Sequence, residues 1–195
     1  MVELPKRTFN AAFFDEAHAS WGSDPWNLSG DYERDKYAVT LKALPKQRYA
    51  SALEVGCSIG ILTRELASRC DRLLALDAAQ AAIDQAAARC ADLSAVRFER
   101  MFVPAEWPPG LFDLILLSEV IYFLDETDLA RLASKTVEAV ADPGDLVLVH
   151  WTGETYFPLT GDRGAELFIE LVAPAVKVVR QDRHPTYRVD VLSRR

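Results

Sequence analysis

A glycine-containing loop between a predicted strand and a predicted helix is the first feature that could bind a ligand. Its residues are Leu53-Glu54-Val55-Gly56-Cys57-Ser58-Ile59-Gly60. Glycine lets backbone approach a ligand closely, and the unpaired N–H groups at a helix start attract the polar end of that ligand. Asp77 ends the next apolar run, where doubly wound sheets hold an acid for ribose hydroxyls. The two features predict a nucleoside site. The alternative is that the glycines serve only a tight turn and Asp77 only caps the next helix.

The charge and spacing of the loop indicate which nucleoside it suits. A dinucleotide fingerprint has a second glycine two residues after the first, and this chain has Ser58 there. Glu54 lies two residues before Gly56, where a carboxylate repels a pyrophosphate. A cationic ligand reverses that repulsion. The loop therefore favours a cationic nucleoside and argues against a nicotinamide oxidoreductase.

A second segment with chemical potential is Ser118-Glu119-Val120-Ile121-Tyr122, which follows the fourth predicted strand. Ligand crevices in open α/β sheets lie beyond the carboxyl ends of the strands. Glu119 is a candidate proton acceptor for a substrate amine, and Tyr122 is a candidate for orienting substrate. The alternatives are that Glu119 binds the backbone of its own loop and that Tyr122 only packs. His150, at the end of the fifth predicted strand, is either a substrate contact or a structural histidine; His18 and His184 have no partner identifiable from sequence.

The elements that must position these residues alternate between short apolar runs and segments of helical period, which predicts an α/β fold with a parallel sheet. Asp142-Pro143-Gly144 is predicted to stop one helix, residues 161–164 to form a turn, and Asp125 or Thr127 to cap a helix. The loop 181–186 is too short for a parallel crossover, so the last strand is predicted to be antiparallel. The predicted strands are 51–55, 72–77, 96–100, 112–118, 145–151, 175–180 and 187–192.

Two helices are predicted before the sheet, joined by a link that contains Trp21 and Trp26 among turn-forming residues. We expect a single domain over residues 1–195, with N-terminal helices and a lid in 1–48 and the α/β core in 49–195. The lid is expected around residues 24–32, where it would order when a cofactor binds.

The glycine loop resembles the first motif of the class I S-adenosylmethionine-dependent methyltransferases. Glu54, Gly56 and Gly60 match that motif, Ser58 replaces its middle glycine, and Asp77 matches the acid of the second motif. Within this class the chain is most similar to the nodulation protein S family of rhizobial N-methyltransferases acting on chitooligosaccharides. The segments that carry this likeness are Asp24-Pro25-Trp26, Leu53–Cys57 and Ser118–Leu124.

The resemblance implies a Rossmann-like, doubly wound, mostly parallel seven-stranded sheet and S-adenosyl-L-methionine as the cofactor. It implies no metal. Where many class I enzymes have an Asp that accepts from the adenine amino group, this chain has Phe102, so adenine is expected to meet backbone groups and apolar stacking partners. Glu119 and Tyr122 are the expected catalytic residues. The expected cofactor contacts are Trp26, Glu54, Gly56, Cys57, Ser58, Gly60, Asp77, Ala78, Met101, Phe102 and Ser118.

The acceptor implied by the resemblance is the free amine of a deacetylated chitooligosaccharide, as in Nod factor biosynthesis. Two alternatives stay open, because a fold does not determine a substrate. One is N- or O-methylation of another small metabolite, and the other is a non-catalytic nucleotide-binding module.

Composition excludes several other classes of function. The chain of 195 residues has a formal charge of −7 without a basic run, which argues against nucleic acid as the main partner. Its three cysteines lack CxxC spacing, so neither a disulfide framework nor a zinc site is predicted. The apolar runs are far shorter than the roughly 20 residues of a membrane span, and residues 1–20 lack the apolar core of a signal peptide. We expect a cytoplasmic protein whose oligomeric state the sequence leaves open.

Overall fold

The computed structural model describes Pro5 and residues 7–194. These residues form seven strands, six α-helices and two short 3-10 helices at Ala67–Arg69 and Ile121–Phe123. The strands are β1 Ala52–Val55, β2 Leu73–Asp77, β3 Val96–Arg100, β4 Phe112–Ser118, β5 Val140–Trp151, β6 Lys177–Arg183 and β7 Tyr187–Arg194. The α-helices are α1 Ala11–Trp21, α2 Asp31–Ala43, α3 Ile61–Leu66, α4 Gln80–Arg89, α5 Glu126–Ala139 and α6 Gly161–Val172.

The strands form one sheet in the order β3-β2-β1-β4-β5-β7-β6. Strand β2 pairs in parallel with β1 and β3, and β4 pairs in parallel with β5. Strand β7 runs antiparallel to both of its neighbours, β5 and β6. The predicted seven-stranded, mostly parallel sheet with one reversed strand near the C-terminus is confirmed.

The chain divides into two compact units. The N-terminal unit runs from Asn10 to Phe102 and contains α1–α4 and β1–β3. The C-terminal unit combines Pro5 and residues 7–9 with residues 103–194 and contains β4–β7, α5 and α6. The expected single domain, with a boundary between 48 and 49, stays a prediction. Residues 1–4, 6 and 195, which that prediction includes, lie outside the described residues.

The core of the N-terminal unit explains why the glycine loop is held firmly. All four residues of β1 are buried, as expected for a parallel strand covered on both faces. Helix α4 buries a stripe formed by Ala82, Ile83 and Ala86, and it contacts β2 and β3. The loop between β1 and α3 therefore extends from a strand that cannot move without opening the core.

In the C-terminal unit, helix α5 begins at a side-chain cap, for which the sequence allowed either Asp125 or Thr127. The Asp125 carboxylate accepts from the N–H of Asp128 at 2.9 Å, so Asp125 is the cap. The Thr8 hydroxyl accepts from the N–H of Asp125 at 3.0 Å, which attaches the N-terminal segment to the same helix start. One buried stripe of α5 then packs inward, as its helical period predicted.

Two local predictions are wrong. Residues 161–164 form the first turn of α6 rather than a separate turn, because the Thr160 hydroxyl accepts from the N–H of Arg163 at 3.1 Å and caps the helix. Gly161 is needed for close packing, since a Cβ there would lie 1.8 Å from the Trp151 carbonyl oxygen. Residues 142–144 do not follow the helix directly but lie inside β5, where the pairing register with β4 shifts.

Candidate functional site

The glycine loop of the N-terminal unit adopts backbone angles that favour glycine. Gly56, Ser58 and Gly60 have φ values of +85°, +45° and +77°. The N–H groups of Gly56 and Cys57 both donate to the Leu76 carbonyl at 2.9 Å, which attaches the loop to the end of β2. Ser58 occupies a left-handed conformation that costs a non-glycine residue energy, so the loop shape is imposed by its surroundings.

Asp77 joins this loop to the start of α4. Its Oδ2 accepts from the N–H of Ser58 at 2.9 Å, and its Oδ1 accepts from the N–H of Ala79 at 2.9 Å. Burial raises the pKa of Asp77, while these two backbone N–H groups act in the opposite direction. The capping role that the sequence left open is therefore present. Because each carboxylate oxygen has two lone pairs, capping leaves Asp77 capacity to accept from a ligand.

Glu54 is fully buried at 0% exposure on β1. Both of its carboxylate oxygens lack a hydrogen-bond partner among the described residues. Burial raises the pKa of Glu54 to about 7; the nearby Thr63 hydroxyl lowers it and the charge of Asp77 raises it further. An unpartnered buried carboxylate is costly, and a cation or a hydrogen-bond donor would relieve that cost. This is the chemistry expected beside a cationic nucleoside.

Gly60 and Cys57 serve packing at this loop. A Cβ on Gly60 would lie 2.8 Å from the Ala86 Cβ and 2.9 Å from its Cα, so glycine is needed for the close approach of the α3 start to α4. The missing Cβ of Gly60 is thus explained by the packing of α4, while its contact with a cofactor stays a prediction. Cys57 is buried, and burial raises the pKa of its thiol well above the ordinary value.

The remaining predicted cofactor contacts of this unit occupy two places. The first place is the chain just after two strands, with Ala78 after β2 and Met101 and Phe102 after β3. The N–H of Met101 donates to the Asp77 carbonyl at 3.0 Å. Arg100 Nε donates to the Ala78 carbonyl at 2.9 Å. They therefore lie at the strand ends beside Asp77. Trp26 lies in the link between α1 and α2, where its ring meets Trp21 edge to face at 5.5 Å.

In the C-terminal unit, the ends of β4 and β5 form an edge that we call the rim, which consists of residues 118–122 and 150–151. Glu119 binds backbone of this rim. Ser118 is buried at the end of β4, and Glu119 follows it with φ +56°. Glu119 Oε2 accepts from the Tyr122 hydroxyl at 2.7 Å and from the N–H of Trp151 at 2.9 Å. The loop-binding alternative for Glu119 is therefore present in the structure. The roles of Glu119 as proton acceptor and of Tyr122 in orienting substrate stay predictions.

His150 is a structural histidine of this rim. It is fully buried, and its Nε2 accepts from the N–H groups of Val120 and Ile121, each at 3.3 Å. Tyr122 contacts the His150 ring edge to face and stacks on Phe157 with centroids 5.2 Å apart. The segment after β4 is thus held by both polar and aromatic contacts.

Sequence reasoning missed two residues of α1: Asp15, which contacts residues at the strand ends of the N-terminal unit, and the buried His18. Asp15 accepts from the N–H of Gln80 at 3.3 Å and from Arg100 Nη2 at 3.0 Å. His18 is buried with 8% of its surface exposed. The apolar spacing of α1 indicated only its packing face, and the partners of Asp15 lie more than 60 positions away.

Two classes of feature are absent from the part of the chain that the structure describes. No helix in residues 7–194 is long and apolar enough to cross a membrane. Within the same residues, no group of three or more His, Cys, Asp or Glu side chains is arranged to hold a metal ion.

Comparison with known proteins identifies relatives over most of the chain. The family model for nodulation protein S (NodS) matches residues 18–187. Nodulation protein S of Rhizobium tropici is 35% identical over 123 residues, which are 62% of this chain and 52% of the relative. The chain thus spans only about half the length of that curated relative.

Two solved structures share the fold. One from Pseudomonas syringae has 35% identity and a TM-score of 0.74, covering 84% of this chain and 99% of the other. N-methyltransferase NodS from Bradyrhizobium japonicum WM9, in complex with S-adenosyl-L-homocysteine, has 24% identity and a TM-score of 0.80, covering 95% of this chain and 99% of the other. The likeness seen in three sequence segments thus extends to a family model covering most of the chain and to the architecture of the sheet. This chain belongs to the nodulation protein S family.

Proposed function

We propose that this chain is an S-adenosyl-L-methionine-dependent N-methyltransferase. The observation that carries the proposal is the buried, unpartnered carboxylate of Glu54 behind a glycine loop that Asp77 holds in place. Membership of the nodulation protein S family supports the activity, and the complex of a relative with S-adenosyl-L-homocysteine supports the cofactor.

The residues of the N-terminal unit suit the chemical parts of this cofactor. Asp77 is the acceptor for the ribose hydroxyls, and the loop from Gly56 to Gly60 presents backbone to the amino-acid end of the ligand. In its ionised form, the Glu54 carboxylate favours a cation and opposes a pyrophosphate, which separates this cofactor from a dinucleotide. Further contacts are proposed for Trp26, Cys57, Ser58, Ala78, Met101, Phe102 and Ser118.

The proposed acceptor is the free amine of a deacetylated chitooligosaccharide. Relatives named nodulation protein S support this class of substrate. Aromatic rings that remain accessible offer platforms for sugar rings: Trp21 is 57% exposed and contacts both Phe13 and Trp26, and Tyr32 is also exposed. The link that carries Trp26 is our proposed lid. The N–H groups of Leu28 and Ser29 both donate to Asp24, which gives this segment a defined shape.

The proposed mechanism is direct displacement. The bound cofactor supplies a methyl group already activated by its sulfonium. The protein aligns a neutral amine with that methyl group and excludes water. The amine must lose a proton before or after transfer, and we propose the Glu119 carboxylate as its acceptor. Tyr122 donates to Glu119, so it sets the orientation of that carboxylate.

The proposed partners are small molecules. An oligosaccharide substrate agrees with the acidic charge of −7, which argues against nucleic acid as a partner. A cytoplasmic location, which rests on the sequence argument above, is retained as part of this proposal.

A methyl-transfer assay tests the proposal. The protein is incubated with isotopically labelled S-adenosyl-L-methionine and either a deacetylated or a fully acetylated glucosamine oligomer, and the products are analysed by mass spectrometry. We expect label only in the deacetylated oligomer, because an amide nitrogen has no available lone pair. Labelling of a different metabolite and of neither oligomer would reject the sugar and retain the methyltransferase. Failure of S-adenosyl-L-homocysteine to bind in calorimetry would reject the cofactor as well.

A further inference from the structure

Helix α1 is attached to the strand ends of the N-terminal unit by three residues, which we call the α1 latch: Asp15, Gln80 and Arg100. Asp15 accepts from the backbone N–H of Gln80 at 3.3 Å and from the Arg100 guanidinium at 3.0 Å. Arg100 also donates to the Ala78 carbonyl at 2.9 Å. The latch therefore fixes the position of α1 against the residues that follow β2 and β3.

The latch and the proposed ribose acid share the start of α4. Helix α4 has Ala79 at its N-cap. The methyl side chain of Ala79 cannot accept a hydrogen bond from the free N–H groups at the start of the helix. Asp77 accepts from the first of these groups, on Ala79, and Asp15 accepts from the next, on Gln80. The two carboxylates thus occupy neighbouring positions, one supplied by β2 and the other by α1.

His18 lies one helical turn after Asp15, so both side chains share a face of α1. It is 8% exposed, and its Nδ1 is buried without a hydrogen-bond partner among the described residues. The imidazole is close enough to Asp77 for its charge to lower the pKa of that carboxyl. A buried ring nitrogen without a hydrogen-bond partner is costly, and none of the described residues forms a hydrogen bond with His18 Nδ1.

We propose that His18 is a second ribose-binding residue, which pairs with a ribose hydroxyl of the cofactor while Asp77 accepts from the same sugar. This inference rests on the proposed function. An ionised carboxylate can only accept hydrogen bonds, whereas a hydroxyl both donates and accepts. Asp77 therefore leaves the acceptor side of the ribose hydroxyls unsatisfied. An imidazole N–H is the complementary donor, and an unprotonated ring nitrogen would accept from a hydroxyl instead.

The α1 latch acts on His18 as well as on Asp15. Because Asp15 and His18 share one face of the same helix, the contacts of Asp15 with Gln80 and Arg100 also limit how far the backbone at His18 can move. Ribose binding would then connect α1 to β2 through the ligand. Helix α1 would become part of the cofactor site rather than a cover that packs independently of it.

The test compares wild type with His18→Leu, which keeps an apolar side chain of similar bulk but removes the ring nitrogens. Calorimetry measures the affinity for S-adenosyl-L-homocysteine and for its 2′-deoxy and 3′-deoxy analogues. We expect His18→Leu to weaken binding of the ribose ligand about 3- to 10-fold, as for loss of one hydrogen bond. We also expect it to discriminate less than wild type against one of the deoxy ligands. Without ligand, its melting temperature should equal or exceed that of wild type, because an unpartnered buried nitrogen has been removed.

Two controls make the outcome specific. His184→Leu changes a histidine in the loop between β6 and β7 and should bind as wild type does. His18→Met, which has about the reach of the imidazole but no hydrogen-bond donor, is measured alongside and decides the test by the same affinity ratio if His18→Leu does not fold. Folded variants with wild-type affinity, or with equal losses for the ribose and both deoxy ligands, would overturn the inference. If wild type itself fails to bind S-adenosyl-L-homocysteine, the proposed function is rejected and this inference with it.

Discussion

The pH dependence of folding stability tests the buried Glu54 carboxylate directly. Burial raises its pKa from 4.5 to about 7 in the folded state, so the folded protein binds this proton more tightly than the unfolded chain. The contribution of Glu54 to stability is therefore fully present below pH 4.5 and is lost as the pH rises through 7. Between pH 5 and pH 8, the loss amounts to roughly 2.5 kcal/mol at about 1.4 kcal/mol per pKa unit.

The perturbation is Glu54→Gln, which keeps the size of the side chain and removes its titration. Urea unfolding at pH 5, 6, 7 and 8 gives the free energy of unfolding of both proteins. We expect wild type to lose roughly 2–3 kcal/mol more than the variant between the two extremes. Because the other titrating groups are present in both proteins, the difference reports Glu54. Glu65→Gln, an exposed change on α3, should follow the wild-type curve.

Parallel pH curves for wild type and Glu54→Gln would refute this reasoning, because Glu54 would then have the same proton affinity in both states. A relative gain of wild-type stability with rising pH would refute it too, since the sign would indicate a lowered pKa. Saturating S-adenosyl-L-methionine should reduce the wild-type loss, because a cation favours the ionised carboxylate.

Three further predictions concern the loop and the rim. Asp77→Ala should weaken S-adenosyl-L-homocysteine binding about 10- to 100-fold through loss of a charged acceptor. Calorimetry measures this affinity, with Asp71→Ala at an exposed position as the control. Unchanged affinity in a folded Asp77→Ala variant would contradict the site. Gly60→Ala should destabilise the protein by about 1–3 kcal/mol in urea unfolding, because its Cβ would lie 2.8 Å from Ala86 at φ +77°; wild-type stability would show that α4 adjusts freely. Glu119→Gln should reduce methyl transfer about 10²–10⁴-fold, because an amide cannot take up the proton. Cofactor affinity should stay unchanged, since the amide oxygen still accepts from the Tyr122 hydroxyl and the Trp151 N–H. Turnover within threefold of wild type would exclude the carboxylate as the proton acceptor.

Asp77 illustrates how a structural and a ligand-binding role coexist in one side chain. Its two backbone hydrogen bonds hold the glycine loop and cap α4. These bonds orient the carboxylate before any ligand arrives, which lowers the entropic cost of binding. The capping alternative that the sequence left open is therefore compatible with the ribose role proposed for Asp77.

The sequence by itself determined the strands and the direction of the sheet. Strands β3 and β4 have the predicted bounds. The buried β4 is a nearly continuous apolar run, whereas the edge strand β3 is more exposed and alternates apolar with charged residues. The reversed β7 followed from the length of the predicted loop 181–186, since six residues cannot return a strand to the parallel direction. In the structure, residues 181–183 extend β6, and only three residues separate the two strands. The glycine loop and Asp77 were recognisable because their ligand chemistry depends on residue type and local spacing.

Only the tertiary structure decided the features that depend on distant partners. Residues 161–164 have the composition of a turn, and they become helix because Thr160 caps them and the Trp151 carbonyl leaves room only for a glycine. Asp15 meets Arg100 across 85 positions of sequence. Among the described residues, the Glu54 carboxylate oxygens and His18 Nδ1 have no hydrogen-bond partner, and this too is a property of the packed core. Local patterns specify backbone preference and periodicity, whereas the satisfaction of a buried polar atom depends on every element packed around it.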